Sequence, residues 1–178
     1  DRASTLFASD IEVTPENTTI FGNWIRAGMT GDASGRGQSS GYDSITEAAL
    51  AVSADFDPIL DNPKVHCQPG SPVLLWGAPG LATSITQVGA DIHIYHENMD
   101  TTRIIHMNRT EIPAGIEATD IGYSLGRLEG ETLVIDSSNF AAGVLNGSNP
   151  NSDQMTVQER ITTLDNGRLN ISWIVTDP

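Results

Sequence analysis

From residue 82 onward, apolar and polar residues alternate along the chain with a period of two, which is the pattern of half-buried β-strands. This pattern predicts seven strands, over TSITQV (83–88), DIHIYHEN (91–98), TTRIIHMN (101–108), YSLGRL (123–128), ETLVIDS (131–137), MTVQERITTL (155–164) and RLNISWIVT (168–176). Turns are predicted at Gly89-Ala90, Met99-Asp100, Glu129-Gly130 and Asp165-Asn166-Gly167.

Seven strands joined by hairpins form an antiparallel meander, and such a sheet tends to curl and remove its own edges. The expected fold is therefore mainly β, a meander closing into a small lipocalin-like β-barrel. The segment PVLLWG (72–77) is a candidate eighth strand.

Residues 1–81 lack this alternation and are expected to cover the barrel. Ser44 and Glu47 form a capping-box pattern that predicts a helix near residues 45–54, and a proline-rich connector follows. A chain of 178 residues suits one domain, so 1–178 is taken as a single unit with its meander over 82–178.

The segment IHIYHENMDTTRIIHM (92–107) concentrates the candidate chemistry. With a tight turn at Met99-Asp100, His93 is expected to face His106 across the hairpin. One surface would then carry both histidines together with Tyr95 and Glu97. The other surface would be core, with His96 and Arg103 at its rim.

The same reasoning on the next hairpin places Tyr123 opposite Asp136, and Arg127 opposite Thr132. Two imidazoles near a tyrosine that a carboxylate orients can transfer protons near neutral pH without a cofactor. We therefore predict His93, His106, Tyr123 and Asp136 as catalytic residues. In the alternative interpretation, both histidines lie on an exposed sheet face and hydrogen-bond to water and to each other.

Substrate contacts are predicted for Tyr95, Glu97, Arg103 and Trp76. No cofactor is expected. A catalytic zinc needs three protein ligands, whereas the hairpin supplies two opposed imidazoles and the chain has no tight HExxH or CxxC spacing, so no metal is predicted either.

The net charge of the chain limits the classes of binding partner that are expected. Nine basic residues against 23 acidic ones give a net charge of −14, which argues against nucleic acid and anionic membranes as partners. No apolar stretch reaches the roughly 18 residues of a membrane span, so no membrane insertion is expected. The expected partner is a small molecule, with a homo-oligomer left open.

The segment GYSLGRLEGETLVID (122–136) resembles the GHSxGRWEGDTLVVDT motif of a widespread family of uncharacterised, exported bacterial proteins. The preceding hairpin and the final VQERITTLDNGRLNISWIVTDP (157–178) are similar to that family's flanking segments. The resemblance covers about residues 20–178 and implies a β-rich fold and a periplasmic or secreted mature form, but no reaction. Tyr123 replaces the motif's His and Leu128 its Trp. His93 and His106 stand where the family hairpin has an apolar residue and Tyr.

The leading functional hypothesis is thus a cofactor-independent acid/base enzyme, a lyase, isomerase or hydrolase, that acts on a small, largely apolar molecule inside the barrel. The alternatives are a non-catalytic lipocalin-like carrier and an accessory or interaction protein. Buried, convergent His and Tyr side chains favour the enzyme, and a uniformly apolar cavity favours the carrier.

Overall fold

The computed structural model describes residues 19–25, 46–57, 59–77, 80–146 and 149–178. The strands are β1 Gly22–Ile25, β2 Ala82–Val88, β3 Asp91–His96, β4 Thr101–His106, β5 Tyr123–Glu129, β6 Thr132–Ser138, β7 Gly143–Asn146, β8 Asn149–Asn151, β9 Thr156–Thr163 and β10 Leu169–Thr176. The α-helices are α1 Glu47–Ala54 and α2 Pro72–Trp76, and short 3₁₀ turns span Pro63–His66 and Asn98–Asp100. Within these ranges no helix is long and apolar enough to cross a membrane.

Eight strands form one strongly curled sheet, a half-barrel, in the order β1-β2-β3-β4-β5-β6-β9-β10. The strands β7 and β8 pair separately as a small two-stranded ladder. The predicted mainly β fold with a strongly curled sheet is confirmed. The curl places one face of the sheet inside, and we call it the inner face. The opposite side is the outer face.

The sheet departs from a simple meander at two connections. The strands β4 and β5 are parallel, with Ile105 beside Ser124, because the chain over residues 107–122 returns to the same end of the sheet before β5 begins. The β7–β8 ladder lies between β6 and β9 in sequence, although β6 and β9 pair directly. Hairpin patterns in the sequence are local. They therefore predicted neither the parallel pairing of β4 with β5 nor the direct pairing of β6 with β9.

The N-terminal region contains both a confirmed and a wrong prediction. The helix predicted near 45–54 is α1, and the Thr46 side chain caps it by accepting the Ala49 N–H at 3.1 Å. Ser44, of the predicted capping box, lies outside the described residues. The segment 72–77 is not a strand but helix α2, because Ser71 accepts the Leu74 N–H at 3.2 Å and Pro72 suits a first helical turn.

Two apolar clusters form the core. The larger lines the inner face of the sheet and contains Ile20, Ile85, Ile92, Ile94, Ile105, Leu133, Ile135 and Ile161. The smaller contains Val73, Phe140, Leu145, Met155 and Val157. Helix α2 connects the two, since Val73 belongs to the smaller cluster and Trp76 packs against the larger one. The indole of Trp76 is therefore held over the inner face.

Candidate functional site

The β3–β4 hairpin has a longer turn than the sequence suggested. His96 pairs with Thr101, so the loop holds the four residues 97–100, and Met99 and Asp100 adopt positive φ angles of 57° and 49°. His93 consequently lies opposite Ile104, and the predicted His93–His106 pair is wrong. A shift of two residues preserves the side-chain alternation, so each residue stays on its predicted face.

The core surface of this hairpin is confirmed, because Ile92, Ile94 and Ile105 are all buried. The prediction that His96 and Arg103 lie at its rim is wrong. Each is only 1% exposed, because β9 and α2 cover this part of the inner face.

The predicted Tyr123–Asp136 pair is also wrong. The β5–β6 turn consists of Gly130 and Glu131, so Tyr123 lies opposite Ser138. Asp136 accepts hydrogen bonds from Arg127 and, at 2.8 Å, from the Gln158 side-chain amide. Asp136 therefore does not orient the tyrosine.

Arg127 likewise lies opposite Val134 and not Thr132. The two remaining predicted binding residues stabilise local structure. The Tyr95 hydroxyl donates to Asp100 at 3.1 Å, and the Glu97 carboxylate accepts the Ala82 N–H at 2.9 Å. Both contacts hold the β3–β4 turn.

Polar side chains converge on the inner face around one buried ion pair. Arg103 of β4 donates from Nη1 to Glu159 Oε1 at 3.0 Å and from Nη2 to Oε2. Trp76 of α2 donates its indole N–H to the same Oε1 at 2.6 Å. Both members of the ion pair are 1% exposed. A carboxylate with three charge-assisted or N–H donors is well suited to burial as an ion.

Two small serines lie beneath this ion pair. In the sheet, β5 and β6 separate β4 from β9. Arg103 Nη2 lies 3.4 Å from Ser124 Oγ on β5, which in turn lies 2.8 Å from Ser137 Oγ on β6. Short hydroxyl side chains leave room for the arginine above them and also provide hydrogen-bond partners. We call Trp76, His96, Arg103, Glu159 and these two serines the inner cluster.

His96 completes the inner cluster. Its ring meets the Trp76 ring edge-on, with centroids 4.7 Å apart, and its Nδ1 lies 3.2 Å from Thr83 Oγ1. Burial, and secondarily the positive charge of Arg103, lowers the pKa of His96 to about 3. The imidazole is therefore neutral at physiological pH.

Three buried side-chain nitrogen atoms have no hydrogen-bond partner among the described residues: His96 Nε2 and Arg103 Nε in the inner cluster, and Asn98 Nδ2 in the β3–β4 turn. They lie within residues 96–103, on β3, on the following turn and on β4. Leaving a buried polar group unpaired costs about 1–3 kcal/mol, so each of these atoms lowers the stability of the fold locally.

A second group of polar side chains lies on the outer face, where β3 begins, β4 ends and β5 begins. His106 Nδ1 is 3.1 Å from the Asp91 carboxylate, and its ring stacks on Tyr123 with centroids 4.6 Å apart. We call Asp91, His106 and Tyr123 the outer triad. Burial alone would raise the pKa of Asp91, but the Met107 N–H and His106 outweigh it, so this pKa lies below its usual value.

Of the predicted catalytic residues, the fold thus brings His106 and Tyr123 together and leaves His93 and Asp136 apart from them. Of the predicted binding residues, Arg103 and Trp76 join the inner cluster. Glu159 and His96 were not among the predicted site residues. The sequence did contain a signal for both, namely a polar residue at a core-facing position of an apolar row. Glu159 occupies such a position between Val157 and Ile161. His96 occupies the next one after Ile92 and Ile94.

Within the described residues, no group of three or more His, Cys, Asp or Glu side chains is placed to hold a metal ion. Comparisons of the chain with protein-family models, with curated proteins and with solved structures found no match.

Proposed function

We propose that the protein binds a small, largely apolar organic molecule on the inner face of the half-barrel, with the polar end of the ligand at the inner cluster. The observation that carries the proposal is the convergence of polar side chains from α2, β3, β4 and β9 on one point of an apolar face. A few convergent polar groups on an apolar concave wall are typical of small-molecule sites.

The inner cluster favours binding over catalysis. A general base or acid works best when its pKa lies near the working pH, whereas the pKa of His96 is about 3. Both oxygens of Glu159 already accept hydrogen bonds, from Trp76 and Arg103. His96 is therefore neutral near neutral pH, and the Glu159 oxygens are occupied by N–H donors, so a carrier or sensor role fits the inner cluster better than an enzyme.

The binding is testable with N-phenylnaphthylamine, an uncharged fluorescent hydrophobe that lacks a carbonyl group. In the titrated protein, the NMR signal of the Trp76 indole N–H should shift together with the guanidinium signals of Arg103. The signal of Trp173, which lies on the edge strand β10, is the internal control and should stay in place. Equal shifts of both indoles, or none, would contradict the proposal.

A second candidate function is acid/base catalysis at the outer triad, and the Asp91–His106 contact favours it. A carboxylate that holds Nδ1 of an imidazole directs proton transfer to Nε2, and the stacked Tyr123 could polarise a substrate oxygen. The reaction class would be cofactor-independent proton abstraction next to a carbonyl.

This second function is tested by the exchange of the methyl protons of acetophenone in deuterated water. If the outer triad catalyses the exchange, His106→Gln should reduce its rate about a hundredfold, the usual contribution of general acid–base catalysis. The matched control is His66→Gln, because His66 is an exposed histidine elsewhere in the fold. Exchange that both variants leave equal to wild type, or no exchange above the buffer rate, would rule this function out.

Membership of the exported bacterial family, and with it a periplasmic or secreted location, stays part of the proposal on the sequence resemblance alone. The proposed function as a carrier of small ligands would suit a periplasmic or secreted protein. Fractionation of cells expressing the complete gene tests it, with recovery in the cytoplasmic fraction as the contrary result.

A further inference from the structure

The two edges of the eight-stranded sheet differ in length. The strand β1 pairs only with β2 and has four residues, whereas β10 pairs only with β9 and has eight. All eight residues of β10 are in register with β9, and no other described strand pairs with its second edge. A strand that is paired on one side presents backbone N–H and C=O groups on the other side, and these groups can pair with a further strand.

The strand β10 lacks the features that normally prevent pairing at a sheet edge. Natural edge strands are short, or they carry charged residues, prolines or bulges. The sequence of β10, LNISWIVT, has no charged residue and no proline, and its register with β9 is uninterrupted. By contrast, β3, β4, β5, β6 and β9 each have at least one charged residue. The longer edge of a sheet in a chain of net charge −14 is thus uncharged, which favours pairing.

Apolar side chains on both faces of β10 reach solvent. Trp173, in the inner row, is 38% exposed, and Ile174, on the outer face, is 65% exposed. Leu169 and Ile171 pack against the larger core cluster and Val175 against the smaller one, but all three are only partly buried. A further strand beside β10 would therefore bury apolar surface on both faces of the sheet.

The charges at the two ends of β10 indicate which strand fits this edge. Arg168 directly precedes β10, and Asp177 directly follows it. In an antiparallel pair, the start of one strand lies beside the end of the other. When two copies of β10 pair antiparallel about their middle, Arg168 of each copy comes within one residue of Asp177 of the other. The strand is therefore complementary in charge to a second copy of itself, whereas an in-register parallel pair would place like charges together.

Local hydrogen bonds hold both residues at the ends of the strand. The Arg168 carbonyl accepts the Leu164 N–H at 2.8 Å, and the Arg168 N–H donates to the Asn166 side chain at 3.1 Å. The Asp177 carboxylate accepts the Ser152 N–H at 2.7 Å and also the Ser152 hydroxyl. A carboxylate has about four acceptor positions, so Asp177 can accept from a guanidinium as well.

We propose that two copies of this chain form a homodimer through β10, whose strands pair antiparallel about a two-fold axis and join the two half-barrels into one continuous sheet. The axis is perpendicular to the sheet near the middle of β10, so the inner face of one copy continues into the inner face of the other. Trp173 then lies close to Trp173 of the second copy. The inference is independent of the ligand and of the reaction proposed above.

Analytical ultracentrifugation of the full chain tests the dimer. The mass should rise with concentration from that of one chain, 19.0 kDa, to that of two. Ile174→Lys puts on this edge the residue that natural edges use against pairing, and it should weaken dimerisation about tenfold. The matched control is Leu128→Lys, because Leu128 of β5 is 62% exposed and lies away from this edge. It should leave the dimer unchanged.

Charge reversal tests the antiparallel arrangement. Arg168→Glu and Asp177→Arg each create two like-charged contacts across the axis, so each variant alone should dimerise about tenfold more weakly. In an equimolar mixture of the two variants, the substituted side chains oppose each other with opposite charge at one contact, and the native pair forms at the other. The mixed dimer should therefore form with the affinity of the wild type.

The contrary outcomes are distinct. A chain that stays monomeric at every soluble concentration overturns the proposal, and protection of the β10 amides from hydrogen exchange in that monomer would show that another part of the chain covers the edge. Masses above two chains would indicate head-to-tail pairing of β10 with β1 instead. A mixture that associates no better than the single variants would exclude the antiparallel β10 pair.

Discussion

Two arginine–carboxylate groups lie on opposite faces of the same sheet, and their surroundings differ completely. In the inner cluster, Arg103 and Glu159 are each 1% exposed. On the outer face, Arg127 binds Glu129 and Asp136, and Arg160 also binds Glu129, with exposures of 42–48%. We call these four residues the outer network.

The comparison shows that the same pair of residue types can have very different importance. Solvent-exposed pairs gain little because water already solvates both charges and salt screens them. A buried pair is costly to form, but removal of one partner leaves an unpaired charge in the interior. The inner pair should therefore determine whether this fold is stable, and the outer network should hardly affect it.

The largest effect is expected for Arg103→Met. The change leaves Glu159 buried without its counter-charge and should cost about 3–5 kcal/mol of unfolding free energy, measured by urea denaturation. The double variant Arg103→Met/Glu159→Met removes both charges and should recover most of that loss. If the double variant is no more stable than the single one, the loss of unfolding free energy comes from altered packing and not from the unpaired charge of Glu159.

The second largest loss of stability is expected on acidification, because it affects His96 in the inner cluster. The folded-state pKa of His96, about 3, lies below its ordinary value of 6.5, so the neutral ring is favoured by folding. Its contribution is therefore complete above pH 6.5 and is lost as the pH falls toward 3, by up to roughly 1.4 kcal/mol per pH unit. The acid slope of stability should flatten in His96→Phe. Identical slopes in wild type and variant would contradict the assignment.

A smaller loss is expected for Trp76→Phe, which keeps an aromatic ring on the inner face and removes one hydrogen bond to Glu159. A hydrogen bond to a charged group contributes about 1.5–3 kcal/mol, and chemical denaturation should show a loss in that range. Trp24→Phe is the control, because the Trp24 indole N–H donates to the uncharged Ile20 carbonyl and its loss should cost less. Equal losses would mean that the charge of Glu159 adds nothing.

The smallest effect is expected for Arg127→Met in the outer network, at or below about 1 kcal/mol. High salt should reduce even that difference, because exposed charges are screened. A loss as large as that of Arg103→Met, or one that salt leaves unchanged, would remove the contrast between the two faces.

Much of the fold could be predicted because strand faces follow from local alternation. The apolar rows of β3 and β4 were placed correctly on the buried face of the sheet, because Ile92, Ile94 and Ile105 alternate with polar residues. The register was not predictable in the same way. It depends on turn length, and both the Met99–Asp100 and the Glu129–Gly130 predictions put the strand pairs two residues out of register.

The predicted site failed where it required contacts between strands. His93 and His106 were joined by an assumed turn, and Tyr123 and Asp136 by another. The real partners of His106 are Asp91, through the actual β3–β4 register, and Tyr123, through the parallel β4–β5 contact. No local pattern indicates a parallel pairing across residues 107–122, because it depends on where the whole connection returns.

By itself, the sequence determined which residues face inward, since a period-two strand can bury only one row of side chains. It also determined the strand-rich fold and the negative charge of the whole chain. The tertiary structure decided how the rows meet. Arg103 and Glu159 belong to strands three steps apart, roughly 14 Å along the sheet. The curl of the sheet and the position of α2 bring them together with Trp76, and such long-range proximity is not encoded in any short stretch of sequence.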